Sequence, residues 1–122
     1  MTQIQDVEPY DLTIIQGDTF TWQGKICDEE NEVLTPVDLT GYTAAMHIRH
    51  RITDAVPLIT LTTENGRIIL GGTEGTITLM IADEDTATLP PCRAVYDLKL
   101  AVSGGVFRFM GGACFIEGSV TR

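Results

Sequence analysis

The residues that could perform chemistry are few, and they lie in short, separate segments of this 122-residue chain. His47 and His50 could bind a transition metal, but in a predicted strand a spacing of three residues points their side chains to opposite faces. Asp83, Glu84 and Asp85 could bind a cation, yet consecutive residues cannot all aim at one point, and no calcium-loop spacing is present. The sequence therefore predicts no metal site and no cofactor site.

Nucleophilic catalysis and phosphate binding also lack a suitable pattern. Ser103 adjoins a Gly-Gly turn and Ser119 lies near the C-terminus, so neither occupies a nucleophile elbow. The glycines of residues 71–75 join two predicted strands and open no helix, which differs from a phosphate-binding loop. We therefore predict no catalytic residues and no enzymatic activity.

The charged runs have simple structural interpretations. The acids at residues 83–85 are predicted to open a short helical turn, where they would cap free amides and favour the helix dipole. The acidic run at residues 28–32 is predicted to be a solvated loop tip. The one basic cluster, residues 47–51, is either a solvated strand end or a local contact for an acidic partner surface, and both interpretations stay open.

Net charge restricts the partners of this chain. The 17 acidic and 8 basic residues give a formal charge of −9, which argues against binding to nucleic-acid backbones or anionic membranes. The first ten residues lack the pattern of a signal peptide, and no apolar run approaches the roughly 20 residues that span a bilayer. We expect no nucleic acid and no membrane among the partners.

The three cysteines, Cys27, Cys92 and Cys114, are an odd set. We predict free, half-buried thiols from a reducing compartment. A bridge between Cys27 and Cys92 is the alternative. It is set aside because the immunoglobulin signature has a Trp between its two cysteines, whereas Trp22 precedes both.

Hydrophobic alternation with period two, interrupted by turn residues, predicts an all-β fold. It is clearest over residues 58–100, which we interpret as an antiparallel meander containing a hairpin at Asn65-Gly66. The last two strands are predicted at Val106–Met110 and at about Ala113–Val120. The positions predicted to face the core are Phe20, Trp22, Tyr42, Ala44, Met46, Ile48, Ile68, Leu70, Ile77, Leu79, Ile81, Tyr96, Leu98, Leu100 and Val102. Leu12 with Ile14, Gly24 with Ile26, and Ile59 with Leu61 are the alternating positions of three further strand segments.

This pattern predicts an antiparallel β-sandwich of about eight strands with one short helical turn. Residues 1–8 are polar and unpatterned, and we predict that they form a flexible N-terminal arm. Residues 9–122 are predicted to form a single β-sandwich domain.

Seven segments carry a family resemblance. They are YDLTI (residues 10–14), QGDTF (16–20), VDLTGYTA (37–44), TTENG (62–66), GTITL (75–79), DTA (85–87) and YDL (96–98). In this order they resemble small tailed-bacteriophage proteins found with tail genes, and the immunoglobulin-like N-terminal domain of phage baseplate upper proteins. The chain departs from the family at Pro90-Pro91-Cys92, where a Gly is typical, and at residues 111–114, where a more regular strand is expected.

The resemblance implies an immunoglobulin-like sandwich and a structural role in the virion, assembled in the host cytoplasm. The chain would be a tail component, in the baseplate or at a fibre attachment, multimeric in the particle and docked onto other tail, baseplate or fibre proteins. One alternative is a capsid decoration (cement) protein with the major capsid protein as its partner. Another is a carbohydrate-binding module of a receptor-binding apparatus, which would need an exposed aromatic cluster.

Overall fold

The computed structural model describes residues 10–121, so the predicted arm at residues 1–8 lies outside the described residues. Within residues 10–121 the chain forms ten strands, a 3₁₀ turn at Gly72–Glu74 and a short helical turn α1 at Asp83–Thr86. The strands are β1 (Leu12–Ile15), β2 (Phe20–Lys25), β3 (Cys27–Glu30), β4 (Val33–Pro36), β5 (Thr43–Arg49), β6 (Ile59–Thr62), β7 (Ile68–Leu70), β8 (Thr76–Ile81), β9 (Cys92–Val102) and β10 (Gly105–Glu117).

Two sheets pack face to face as a sandwich. The larger sheet has the strand order β1-β10-β9-β5-β6, and the smaller one has the order β2-β8-β7. A separate hairpin consists of β3 and β4. The predicted all-β sandwich with one short helical turn is confirmed. One pair departs from the antiparallel rule, because β1 runs parallel to β10, with Leu12 beside Cys114.

The core consists of the inward positions of both sheets, because alternate residues of a strand face the same side. Most of the predicted inward positions are fully buried, including all three on β8, Ile77, Leu79 and Ile81. Tyr96 is buried as predicted, and its hydroxyl donates a 2.6 Å hydrogen bond to the carbonyl oxygen of Tyr10. Residues that the alternation did not assign to the core but that are buried there are Leu39, Leu89, Ala94, Phe109, Met110, Cys114 and Ile116.

Trp22 packs against this core but is only partly buried. Its indole lies over Gly24, where a Cβ atom would collide with the ring, so the glycine makes room for the indole. The ring meets Tyr10 edge to face, with centroids 5.9 Å apart, and its Nε1 donates to the Tyr10 hydroxyl at 3.4 Å. The indole therefore closes one side of the sandwich.

The predicted meander over residues 58–100 is wrong in its pairing. β6 belongs to the larger sheet and β7 to the smaller one, so the turn at Asn65-Gly66 joins two sheets and is no hairpin. The turn itself is present: the Asn65 side chain accepts hydrogen bonds from the backbone N–H groups of Thr62 and Arg67, and Gly66 has a φ of +81°. Both flanking strands turn their apolar positions toward the same core from opposite sides. Alternation alone therefore does not distinguish a hairpin within one sheet from a connection between two sheets.

Two segments that were predicted to lie between strands belong to strands. Gly111 and Gly112 continue a single strand β10, which carries a bulge between Arg108 and Met110, so the two predicted C-terminal strands are one. The predicted loop tip at residues 28–32 is also largely wrong. Cys27–Glu30 is a strand, and only Asn31 and Glu32 turn, with φ values of 52° and 65°. Two consecutive residues of positive φ suit the tight turn of a hairpin, because their twist matches that of the paired strands.

The predicted helical turn is confirmed, but capping by its acids is not. The residue that precedes it is Ala82, and no side chain caps its first amides. Asp85 instead accepts a 3.0 Å ion-paired hydrogen bond from Arg67, which also donates to the carbonyl oxygen of Thr60 on β6. Arg67 thereby ties the helical turn to the edge of the larger sheet.

The buried residue of this turn is Thr86, which has no exposed surface. Its hydroxyl accepts a hydrogen bond from the Gly17 N–H at 3.1 Å and lies 2.8 Å from the Asp18 carbonyl oxygen, to which it donates. A buried hydroxyl requires such partners, since an unpaired one is costly. Thr86 therefore fixes the turn between β1 and β2 to the turn before β9; we refer to residues 83–89 as the α1 corner.

Candidate functional site

The outer face of the larger sheet gathers charged side chains that are far apart in sequence. Strand register places His47 of β5 and Gly111 of β10 on either side of Asp97 on β9. It also places Arg108 of β10 opposite Lys99. His47, Asp97, Lys99 and Arg108 are half-buried or exposed and lie on the outer face, whereas Gly111 is buried.

A groove of about 580 Å³ runs along this face. Val95 and Ala113, which are register partners, form part of its apolar lining, and Ile52, at 85% exposure, contributes apolar surface from the loop after β5. The lining residues are Asp11, His47, Arg49, Ile52, Arg93, Val95, Tyr96, Asp97, Arg108, Gly112 and Ala113. We call this the basic groove.

Arg49 is held in place by its neighbours. Its Nη1 donates a 2.7 Å hydrogen bond to the carbonyl oxygen of Asp54, and its Nη2 lies 2.9 Å from Nδ1 of His47. Because a guanidinium only donates, this second bond requires an unprotonated Nδ1 on His47. Both bonds fix the orientation of the guanidinium before anything binds.

Arg93 is positioned by the neighbouring strand, and Arg108 by a glycine of its own strand. The guanidinium carbon of Arg93 lies 5.9 Å from the centre of the Phe115 ring, its register partner, in a cation–π arrangement. The guanidinium of Arg108 lies over Gly111, where the Cβ of any other residue would collide with it. The glycine pair that was predicted to break the strand therefore creates the space for a groove arginine.

The groove has the opposite sign to the chain as a whole. Three arginines line it against two aspartates, whereas the whole chain carries −9. One of the two acids, Asp11, is engaged in the fold, since its Oδ1 accepts a 3.1 Å hydrogen bond from the Ala113 N–H. Arginine presents planar, paired donors that match a carboxylate, so the groove is suited to groups of negative charge.

The predicted basic cluster at residues 47–51 divides between two environments. His47 and Arg49 line the groove, whereas His50 and Arg51 follow the end of β5 and are exposed. The Arg51 N–H is bound to the Asp54 carboxylate. Among the described residues, no group of three or more His, Cys, Asp or Glu side chains is placed to hold a metal ion.

Sequence reasoning did not connect Arg93 and Arg108 to this cluster. The available signal was that Arg93, Asp97 and Lys99 share one outward phase of a long strand. That signal was insufficient because the sequence does not reveal that β9 lies between β5 and β10.

The remaining candidates lie elsewhere. Ser103 lies in the turn between β9 and β10, and the Ser119 hydroxyl donates to the Thr121 carbonyl oxygen. Residues 71–75 form the predicted turn between β7 and β8. Asp83 and Glu84 line a separate recess at the α1 corner, together with Gln16 and Gly17. Within residues 10–121, no helix is of the length and apolarity that crossing a bilayer requires.

The cysteines Cys27, Cys92 and Cys114 are free, as predicted. Cys114 is completely buried, which differs from the half-buried prediction, and burial together with the nearby Cys92 raises its pKa to about 12. Its thiol therefore stays protonated at neutral pH and belongs to the core.

No protein-family model and no curated protein matches the chain. Two solved structures of immunoglobulin domains are similar to it in chain path. One is a crystal structure of the ZIG-8–RIG-5 IG1–IG1 heterodimer, with 10% identity, a TM-score of 0.41, and coverage of 98% of this chain and 90% of that one. The other is a structure of murine CRIg, with 13% identity, a TM-score of 0.40, and coverage of 91% and 93%. The fold is defined by the strand order of the two sheets and by the core that they share.

Proposed function

We propose that this chain is a structural protein of a tailed-bacteriophage virion, a tail component of the baseplate or of a fibre attachment. It acts by docking onto other virion proteins and catalyses no reaction. The observation that carries the docking role is the basic groove on the outer face of the larger sheet. The resemblance of the seven sequence segments to phage tail proteins supports the location in the tail.

The groove suits docking because its donors are oriented in advance. Arg49 and Arg93 are held by His47 and Phe115, so little side-chain entropy is lost when a partner binds. The groove runs along the outer face of the larger sheet, which favours an extended protein segment with Asp or Glu side chains. Arginine is also enriched where interfaces concentrate their binding energy.

The test is incorporation into particles. Reversal of two groove charges, Arg93→Glu with Arg108→Glu, is expected to reduce incorporation at least about tenfold, since each interfacial charge pair that is lost weakens docking. The matched control is Lys25→Glu with Arg51→Glu, which changes the net charge equally at exposed positions outside the groove lining. Incorporation is measured by quantitative immunoblotting of purified virions complemented with each variant.

Three outcomes oppose the proposal. Equal incorporation of the groove variant and the control would remove the groove from the docking role. Recovery of the labelled wild-type protein on tail-less heads would instead identify a capsid decoration protein. Absence of the wild-type protein from purified particles would remove it from the virion altogether.

A further inference from the structure

The β3–β4 hairpin is the second unusual surface of the molecule. Within residues 10–121 its two strands pair with each other and with no other strand. An isolated two-stranded hairpin is marginally stable in water, so a segment of this kind gains from being covered. Its base is fixed, because the Ile26 N–H donates to the Gly75 carbonyl oxygen and the Val37 N–H donates to the Ile26 carbonyl oxygen.

The hairpin combines negative charge with exposed apolar surface. Four of the five residues at positions 28–32 are acidic. Directly after the turn, Val33 and Leu34 are 62% and 57% exposed. Glu32 is exposed as well, so the end of the hairpin presents a negative charge next to apolar surface.

This surface is complementary to the basic groove in both respects. The groove offers three arginines to the acids, and Val95, Ala113 and Ile52 to the aliphatic side chains. We propose that the β3–β4 hairpin of one copy of this chain docks into the basic groove of a second copy. The proposal rests on the docking role proposed above for the groove and names its occupant.

The two surfaces lie too far apart to meet within one molecule. The hairpin continues from β2 in the smaller sheet, whereas the groove lies on the outer face of the larger sheet. The hairpin leaves the sandwich at the end where β8 begins. The chain just before β5 lies at the same end, because the Leu39 N–H donates a hydrogen bond to the Gly72 carbonyl oxygen. Arg49, in contrast, ends β5. The contact is therefore between copies.

A contact between two different surfaces is head-to-tail. Repetition of such a contact closes into a ring when the rotation allows it, and otherwise extends as an open chain. Each copy would use its hairpin toward one neighbour and its groove toward the other. Such an arrangement agrees with a component of a symmetric particle.

The test is self-association of the purified full chain by sedimentation velocity over a range of concentrations at about 0.15 M salt, where the Debye length of about 8 Å limits repulsion between acidic copies. The wild type is expected to form species larger than a monomer. The groove variant, Arg93→Glu with Arg108→Glu, and a hairpin variant, Glu29→Lys with Glu30→Lys, are each expected to weaken association at least about tenfold. The control pair Lys25→Glu with Arg51→Glu is expected to associate as the wild type does.

Mixing the groove variant with the hairpin variant is the decisive experiment. The intact hairpin of the groove variant fits the intact groove of the hairpin variant, so an equimolar mixture is expected to associate more strongly than either variant alone. Thermal unfolding by circular dichroism verifies that both variants are folded. A mixture that stays monomeric, or a wild type that is monomeric at every concentration, overturns the inference.

These outcomes are separable from the proposed function. If the wild type is monomeric in solution while the groove variant is lost from particles, the docking role stands and the occupant is another virion protein. If the wild type associates through the groove while the groove variant enters particles normally, self-association stands and the virion docking role of the groove fails.

Discussion

Two acidic segments of this chain are alike in sequence and differ in their structural roles. Residues 83–85 read Asp-Glu-Asp and open the α1 corner, whereas residues 28–30 read Asp-Glu-Glu and form β3. The first segment is followed by Thr86, a buried hydroxyl with backbone partners on another turn, and it contains Asp85, which pairs with Arg67. The second is followed by a tight turn and by exposed Val33 and Leu34.

The difference shows that a run of acids does not determine its own role. The residues that follow the run determine its role. At the α1 corner a buried hydroxyl binds another turn of the sandwich, whereas on the hairpin exposed aliphatic side chains leave apolar surface uncovered. We therefore expect changes at the corner to affect the free energy of unfolding and changes at the hairpin to affect association. Three sets of substitutions test this contrast.

The largest expected effect is at a pair of leucines. Leu89 closes the α1 corner at 2% exposure, whereas Leu34 on the hairpin is 57% exposed. Leu89→Ala is expected to reduce the free energy of unfolding by about 2–5 kcal/mol, because it removes buried methyl groups and leaves a cavity. Leu34→Ala is expected to change it by less than about 0.5 kcal/mol. Urea denaturation of both variants measures the contrast, and similar losses for the two would contradict it.

A smaller effect is expected at a pair of threonines within the corner. Thr86 is completely buried and binds Gly17, whereas Thr88 is exposed. Thr86→Val keeps the shape but leaves the Gly17 N–H without its partner, so we expect a loss of about 1–3 kcal/mol. Thr88→Val removes only a local bond to the Asp85 carbonyl oxygen, and we expect about 0.5 kcal/mol or less. A wild-type melting temperature for Thr86→Val would show that the hydroxyl does not fix the corner.

The smallest effect is expected for the ion pair of Arg67 and Asp85. The pair is short, at 3.0 Å, but its side chains are 30% and 42% exposed, so solvent screens it. A double-mutant cycle with Arg67→Ala and Asp85→Ala is expected to give a coupling energy of about 0.2–1 kcal/mol, falling as salt is added. Glu29→Lys on the hairpin should leave the free energy of unfolding unchanged within about 0.5 kcal/mol. A larger effect at Glu29 would show that the hairpin contributes to the stability of the fold.

The sequence predicted the inward side of the strands well, because burial of one face imposes period two. Ile77, Leu79 and Ile81 are all buried as that rule requires. It did not predict which strands pair, since strands of opposite sheets present the same pattern to one core. The turn at Asn65-Gly66 illustrates this limit.

The candidate site was the part least accessible to sequence. Arg49, Arg93 and Arg108 are brought together only by the order β10-β9-β5 in the larger sheet. Gly111 looked like a strand break because it lacks a side chain, yet its role is to leave space for Arg108. A glycine that makes room for a neighbour has the same sequence signal as one that ends a strand.

The parallel pairing of β1 with β10 has a mechanical consequence. Leu12 lies beside Cys114 and Ile15 beside Glu117, so the two strands run in the same direction. Tension applied through the chain before β1 and after β10 pulls these strands past each other and loads the hydrogen bonds between them together. An antiparallel hairpin pulled at its two open ends would release its bonds one after another. Pulling single molecules from these two points is therefore expected to require more force than pulling β9 and β10 apart at Cys92 and Glu117.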